Sequence, residues 1–253
     1  NFNFRKIKFT TNNIDFFSDS LKIKKNKKEF FVEGNIENKN SKLNDQLLNL
    51  IRSNFDNINF ENIKFASKNN FSFNVNNKIN FKNLVITSEI FVDETNYKKQ
   101  NLLNDYFSEV KDIIYLKDHK IKVTYKKDNL SLKGSGKIQL EKDFDEIDYT
   151  ISKIGDKINF DSNLTSNKTS FQIDSINYKK DKDSKLQLTV SGNYEKTKGL
   201  ALDQFTILAK DDQINLKNLL IDRYKKIIKF DELNLDYFDA ENKRNKFILK
   251  RKQ

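Results

Sequence analysis

Apolar residues stand on alternate positions in run after run of this chain, and few folds are open to a polypeptide patterned that way. The runs include Phe2-x-Phe4, Ile7-x-Phe9, Leu21-x-Ile23, Phe71-x-Phe73-x-Val75, Ile121-x-Val123-x-Tyr125, Leu130-x-Leu132 and Ile138-x-Leu140. Further along come Ile158-x-Phe160, Phe171-x-Ile173, Leu186-x-Leu188-x-Val190 and Phe205-x-Ile207. Successive side chains of a strand point to opposite faces, so this period predicts many half-buried antiparallel strands. Polar turn signals such as Asn76-Asn77, Lys-Lys-Asp-Asn at 126–129 and Lys-Asp-Lys-Asp-Ser at 180–184 separate the runs, which predicts hairpins joined in a meander.

One eight-residue phrase recurs: Ile58-Asn-Phe-Glu-Asn-Ile-Lys-Phe65, Ile79-Asn-Phe-Lys-Asn-Leu-Val-Ile86, Ile214-Asn-Leu-Lys-Asn-Leu-Leu-Ile221 and Ile228-Lys-Phe-Asp-Glu-Leu-Asn-Leu235. Its apolar spacing is two, then three, then two. A one-residue slip turns the rest of a strand over unless a bulge absorbs it, so the polar couplet reads as a bulge or corner that keeps Phe60 and Ile63 on one concave side. A second phrase places Gly34, Gly136 and Gly192 on the apolar phase two residues before Ile36, Ile138 and Tyr194. Glycine inside a strand marks a bend, a bulge or a close approach, and its recurrence predicts a curved sheet.

Two segments leave this period. Leu43, Leu47, Ile51 and Phe55 recur every four residues after a candidate N-cap at Ser41, which predicts an amphipathic helix over 41–55. Leu103, Tyr106, Phe107, Val110, Ile113 and Ile114 predict another within 97–116. Either could plug or line the sheet, or simply cover its surface.

Apolar residues make up only 36% of the 253 positions, yet they are bulky, with 22 Phe and 9 Tyr. Few but large apolar groups at period two suit a thin sheet with one dry face better than a thick core. The net charge of +11 comes from Lys spread along the polar phase of the strands, with Arg scarce. That distribution reads as a solvated face, not the concentrated basic patch of a nucleic-acid binder, so no nucleic-acid partner is expected. There is no stretch of the length and apolarity a membrane-crossing helix needs, and no leader opens the chain. The absence of Met, with Asn1 first, reads as a segment of something longer.

Catalytic chemistry finds little to work with. Without Cys and with His119 the sole histidine, thiolate and Cys/His zinc sites have no ligands, and nothing around His119 resembles a nucleophile elbow. Gly134-Ser-Gly136-Lys137 departs from a phosphate loop, because Ser131 replaces its first Gly and Ile138 its Ser/Thr. Asp143, Asp145, Glu146 and Asp148 lack the spacing and glycine of a calcium loop and read as solvated. The sequons at Asn163 and Asn167 are expected by chance in so Asn-rich a chain. No enzyme, metal or cofactor is expected.

The phrases Leu186-Gln-Leu-Thr-Val-Ser-Gly-Asn-Tyr194 and Ile214-Asn-Leu-Lys-Asn-Leu-Leu-Ile221 resemble the AsmA-like superfamily of bacterial envelope proteins, most clearly from Ile121 to Leu249. The resemblance implies one elongated segment, residues 1–253, of a larger bridge-like lipid transfer protein: a mainly β, long bent antiparallel meander forming an open apolar groove. It implies a periplasmic location, an inner-membrane anchor in an N-terminal helix outside this chain, and movement of phospholipid toward the outer membrane. Phospholipid acyl chains would then be the partner, touched by Phe60, Phe81, Ile121, Val123, Leu130, Leu132, Ile138, Leu140, Leu186, Leu188, Val190, Ile214, Leu216 and Phe230. Two other readings stay open. One is a structural or adhesive all-β protein with a closed core, for which 36% apolar content is low; the other is a jelly-roll component of a lipopolysaccharide bridge.

Overall fold

The computed structural model describes residues 1–43, 60–98, 105–107, 109–180 and 183–251. The chain folds mainly as β-strands in a large open antiparallel meander, and it packs as two units: residues 1–97 with 116–134, and residues 98–115 with 135–253. Hydrogen-bonded neighbours follow chain order, and the order is linear, so the first and last strands are edges.

The first unit is built on β1 (Phe2–Thr11), β2 (Ile14–Asn26), β3 (Glu29–Lys42), β4 (Phe60–Asn76) and β5 (Phe81–Lys98), followed by most of β6 (Ile113–Lys126) and the start of β7 (Asn129–Gln139). Tight turns make the meander possible. Asn12 and Asn13 both take positive φ, of 50° and 61°, in the two-residue link that sets Thr11 opposite Ile14. Asn tolerates that left-handed conformation better than most residues, and its hand matches the twist of the flanking strands.

The second unit continues with β8 (Asp145–Ile154), β9 (Lys157–Ser166), β10 (Phe171–Ile173), β11 (Tyr178–Lys180), β12 (Leu186–Glu195), β13 (Gly199–Ala209) and β14 (Asp212–Asp222). It ends in β15 (Ile227–Lys229), β16 (Glu232–Phe238) and β17 (Arg244–Lys250). Here β9 pairs with β12, because β10 and β11 leave the sheet and form a small two-stranded hairpin of their own.

The recurring phrase marks a backbone irregularity, and in its first two copies a register shift between β4 and β5, as its spacing predicts. Asn62, Asn83 and Asn218, the same position in three of its copies, have φ of 54°, 53° and 53°. In the third copy Leu216 pairs with Phe205 and Leu219 with Leu202, so the left-handed Asn218 returns the strand to the same face. In the fourth copy the couplet Asp231-Glu232 falls at the break between β15 and β16.

Two of the recurring glycines sit opposite such irregularities. A Cβ on Gly192 would lie 2.2 Å from the Ala201 carbonyl oxygen, where the β12–β13 register shifts. One on Gly34 would lie 2.9 Å from the Ser20 carbonyl, beside the β2–β3 shift. The glycine accommodates a neighbour's bulge. The backbone N–H of Ser20 in that bulge donates to Asn35 Oδ1 at 3.0 Å.

Neither expected helix is seen among the described residues. Ser41 and Lys42 end β3, while 44–55 lie outside the described residues. Of 97–116, Tyr97 and Lys98 end β5 and Ile113 to Leu116 open β6, with 99–104 and 108 outside the described residues. Exposed Ile113 and buried Ile114 alternate as strand neighbours do. Their β-branched side chains favour the pleated conformation, which overrides the helical spacing. A 3-10 turn, Asp174–Ile176, is present in the β10–β11 link.

Candidate functional site

Register determines which side chains share a face. In the second unit one cross-strand row runs Ile147, Leu164, Leu188, Ile207, Ile214, Leu235 and Phe247, from β8 to β17 without a polar residue. The next row runs Tyr149, Ser162, Val190, Phe205, Leu216, Leu233 and Leu249. The opposite face carries Glu146, Thr165, Gln187, Leu208, Gln213, Asp236 and Lys246 in the corresponding row. One face is therefore apolar and the other largely polar.

The apolar face changes along the strands. Toward the start of β12 it is sealed: Leu186, Ile207 and Ile214 are buried. Leu188, Val190, Phe205, Leu216 and Leu233, farther along, are only half-buried. Ile158 and Leu200 remain so toward the hairpin tips, where Tyr194 is exposed. Bulky side chains left in this state on one layer of sheet form a continuous apolar surface that further apolar atoms can cover.

The sealed end lies under the β10–β11 hairpin. Phe171 and Tyr178 meet edge to face at 6.4 Å, Phe107 packs on Phe171 at 5.4 Å, and Tyr178 reaches Tyr237 at 5.6 Å. Tyr237 Oη donates to the Ile176 carbonyl at 2.6 Å, and the Ala240 N–H to that of Asn177 at 3.0 Å.

A buried polar group pins the hairpin stem. Thr169 Oγ1 donates to Asp145 Oδ2 at 2.5 Å, Ser170 Oγ to Glu141 Oε1 at 2.5 Å, and Lys180 Nζ to the Thr169 carbonyl at 2.7 Å. Burial raises the Asp145 pKa above its usual value, opposed by hydrogen bonds from Thr169, Ser166 and the Asn167 N–H and by the Lys180 charge. The carboxylate run at 143–148 is thus not uniformly solvated: Asp145 opens β8 on its inner face and is buried, while Asp143 stays outside, 3.6 Å from Lys168. Tyr178 Oη is sealed from solvent, and burial together with the charge and hydrogen bonding of the nearby Asp212 pushes its pKa up. Burial likewise pushes Tyr149 up to about 12.

In the first unit one apolar row runs Phe4, Leu21, Phe71 and Ile86, with Gly34 between Leu21 and Phe71, and the next runs Phe2, Ile23, Val32 and Phe73. Phe71 and Phe73 stack at 6.0 Å. Farther along, the same face turns polar. Ser67 Oγ donates to Asn38 Oδ1 at 2.5 Å, Asn69 Nδ2 to the Ile36 carbonyl at 3.0 Å, and Ser18, Asn38, Ser67 and Ser88 are buried. The opposite face holds a shallow depression of about 430 Å³ lined by Lys22, Glu33, Asn35, Asn70, Ser72 and Thr87 among others.

Of the residues read from sequence as contacting acyl chains, Leu186, Leu188, Val190, Ile214 and Leu216 share the apolar face of the second unit, the first and fourth of them buried. Ile138 is half-buried on β7, and Leu140 is buried just beyond it, its carbonyl accepting from the Lys111 N–H at 3.0 Å. Phe230 is half-buried between β15 and β16. In the first unit Ile121, Val123, Leu130 and Leu132 are half-buried, Phe60 is half-buried with its ring 5.4 Å from Tyr97, and Phe81 is exposed, edge-on to Phe73 at 5.2 Å. Sequence reading missed Ile147, Leu164, Ile207, Leu233 and Leu235 on the same rows. Their signal was present as alternation, as in Leu233-x-Leu235.

His119 is buried within β6, and among the described residues no group of His, Asp and Glu has the arrangement to hold a metal ion. No helix among the described residues is long and apolar enough to cross a membrane. No family model, curated protein or solved structure matches this chain.

Proposed function

We propose that this chain is a non-enzymatic lipid-binding protein that holds phospholipid acyl chains along the apolar face of its sheet and lets them pass from one membrane toward another through the periplasm. The observation that carries the reading is the pair of largely apolar rows through Leu188 and Leu216, which span seven strands and leave Leu188, Val190, Phe205, Leu216 and Leu233 only half-buried away from the hairpin-covered end. Each CH2 kept from water gains roughly 0.8 kcal/mol, so such a surface lowers most of the cost of carrying an acyl chain through an aqueous space. It needs no directed polar contacts, which suits rows whose only polar groups are Ser162 and the Tyr149 hydroxyl.

The test places a photoreactive residue at Leu188 or Leu216 in the full chain in native envelope, with controls at Gln187 and Lys217 on the polar phase. Lipid adducts at the first pair alone are expected. Adducts at neither pair, from a chain whose circular dichroism shows intact β-structure, refute acyl-chain binding.

A further inference from the structure

We propose that the hairpin tips at one end of the second unit dock on an anionic phospholipid bilayer, led by the β14–β15 tip at residues 222–229. The proposal goes beyond acyl-chain binding, since a bilayer can be gripped here whether or not the sheet face holds lipid. Three turns share this end. Lys157 of β9 pairs with Ile154 and with Glu195, and Gly199 pairs with Asp222, so the β8–β9, β12–β13 and β14–β15 links lie side by side.

The leading tip is built for an interface between water and hydrocarbon. Tyr224 is 73% exposed, Ile227 61% and Ile228 53%, three bulky apolar side chains in five residues. Arg223, Lys225, Lys226 and Lys229 surround them, against the single carboxylate of Asp222. That carboxylate is already occupied: its Oδ1 accepts the backbone N–H groups of Tyr224 and Lys226, both at 2.9 Å, which fixes the turn and holds Tyr224 outward. The Arg223 guanidinium lies 4.6 Å from the centre of the Tyr224 ring, so ring and cation are presented together.

The β8–β9 tip repeats part of the pattern. Ile154 is 57% exposed beside Lys153 and Lys157, with Asp156 the one carboxylate of the turn, although it lies on the otherwise polar phase of β8. Solvated turns do not need exposed isoleucine and tyrosine beside lysine. Membrane-surface segments do: the rings and branched chains enter the headgroup layer while Lys and Arg stems reach up to the phosphates. The choice of an anionic partner rests on charge, four cations against one already occupied carboxylate on the leading tip, and the choice of a bilayer on the bulky apolar side chains that stand out among those cations, as side chains of the headgroup layer do.

Flotation of the full chain with phosphatidylcholine vesicles containing about 30% phosphatidylglycerol, and with pure phosphatidylcholine, tests the docking. Binding to the charged vesicles alone is expected, with a loss of about tenfold in Lys225→Glu/Lys226→Glu and in Tyr224→Ser/Ile227→Ser. The chain has no Trp, so Tyr224→Trp gives a single tryptophan, excited apart from the remaining tyrosines, whose emission should shift to the blue when charged vesicles are added. No vesicle binding, equal binding to neutral vesicles, undiminished binding by the variants, or an unshifted Tyr224→Trp spectrum each overturns the proposal. Lipid adducts at Leu188 that persist in the Lys225→Glu/Lys226→Glu chain separate a failure of docking from a failure of acyl-chain binding.

Discussion

Thr169 donates its hydroxyl proton to the buried Asp145 carboxylate at 2.5 Å, tying the covering hairpin to the first residue of β8. The folded state raises the Asp145 pKa above 3.8, burial being the largest cause. A raised acid binds its proton more readily folded than unfolded, so its contribution to stability is fully present below the unfolded pKa and is lost as pH rises through the folded one. Urea titrations from about pH 3 to 7 should therefore show Asp145→Asn gaining stability relative to the parent chain as pH rises. An unchanged profile in the variant would mean the desolvation is offset at this site.

Asn218 shares its left-handed backbone with Asn62 and Asn83. A β-branched residue resists that conformation, whereas Gly adopts it freely. Asn218→Val is expected to cost about 2 kcal/mol in denaturant melts, and Asn218→Gly less than about 1 kcal/mol. The Gly variant forfeits only the exposed hydrogen bond from Asn218 Nδ2 to Asp231 Oδ2 at 2.8 Å.

How far the fold was legible follows from the same residues. Alternation identified the strand phases, and the two-three-two spacing located the irregular, left-handed positions at Asn62, Asn83 and Asn218, because both signals live in adjacent side chains of one strand. The hairpin of β10 and β11 was not legible. Phe171-x-Ile173 has the same period as every sheet strand, and nothing local says that it leaves the meander to fold over Tyr237. The burial of Lys180 was hidden for a related reason. It stands in a polar turn sequence, and its partner, the Thr169 carbonyl, is backbone that any residue carries. The helix read over 97–116 failed at Ile113 to Leu116, where apolar spacing fits two periods and strand pairing decides between them.

Gly192 and Gly155 should respond differently to the same substitution. A methyl at Gly192 meets the Ala201 carbonyl oxygen at 2.2 Å and the Leu202 Cα at 3.0 Å, all backbone that can yield only if β13 moves. Gly155 has φ of 57° and nothing within 4 Å, so only its backbone conformation resists. Gly192→Ala is expected to cost about 3 kcal/mol and Gly155→Ala about 1 kcal/mol, read from thermal or denaturant melts of the two variants. Equal losses would mean that β13 shifts to admit the methyl.

Leu216 and Ile207 separate the role of the apolar face from its contribution to folding. Ile207 is fully buried beneath the covered end, and Ile207→Ala removes buried methylenes at a cost of about 3 kcal/mol. Leu216 is half-buried in the open part of the face, so Leu216→Ser removes less buried area and should cost nearer 1 kcal/mol. If the open part holds acyl chains, the ranking reverses for lipid. Leu216→Ser should lower binding of a fluorescent fatty acid by about tenfold, while Ile207→Ala, measured where it remains folded, should leave it within about twofold of the parent. A Leu216→Ser chain that binds the fatty acid as the parent does would show that the exposed apolar rows serve packing against protein.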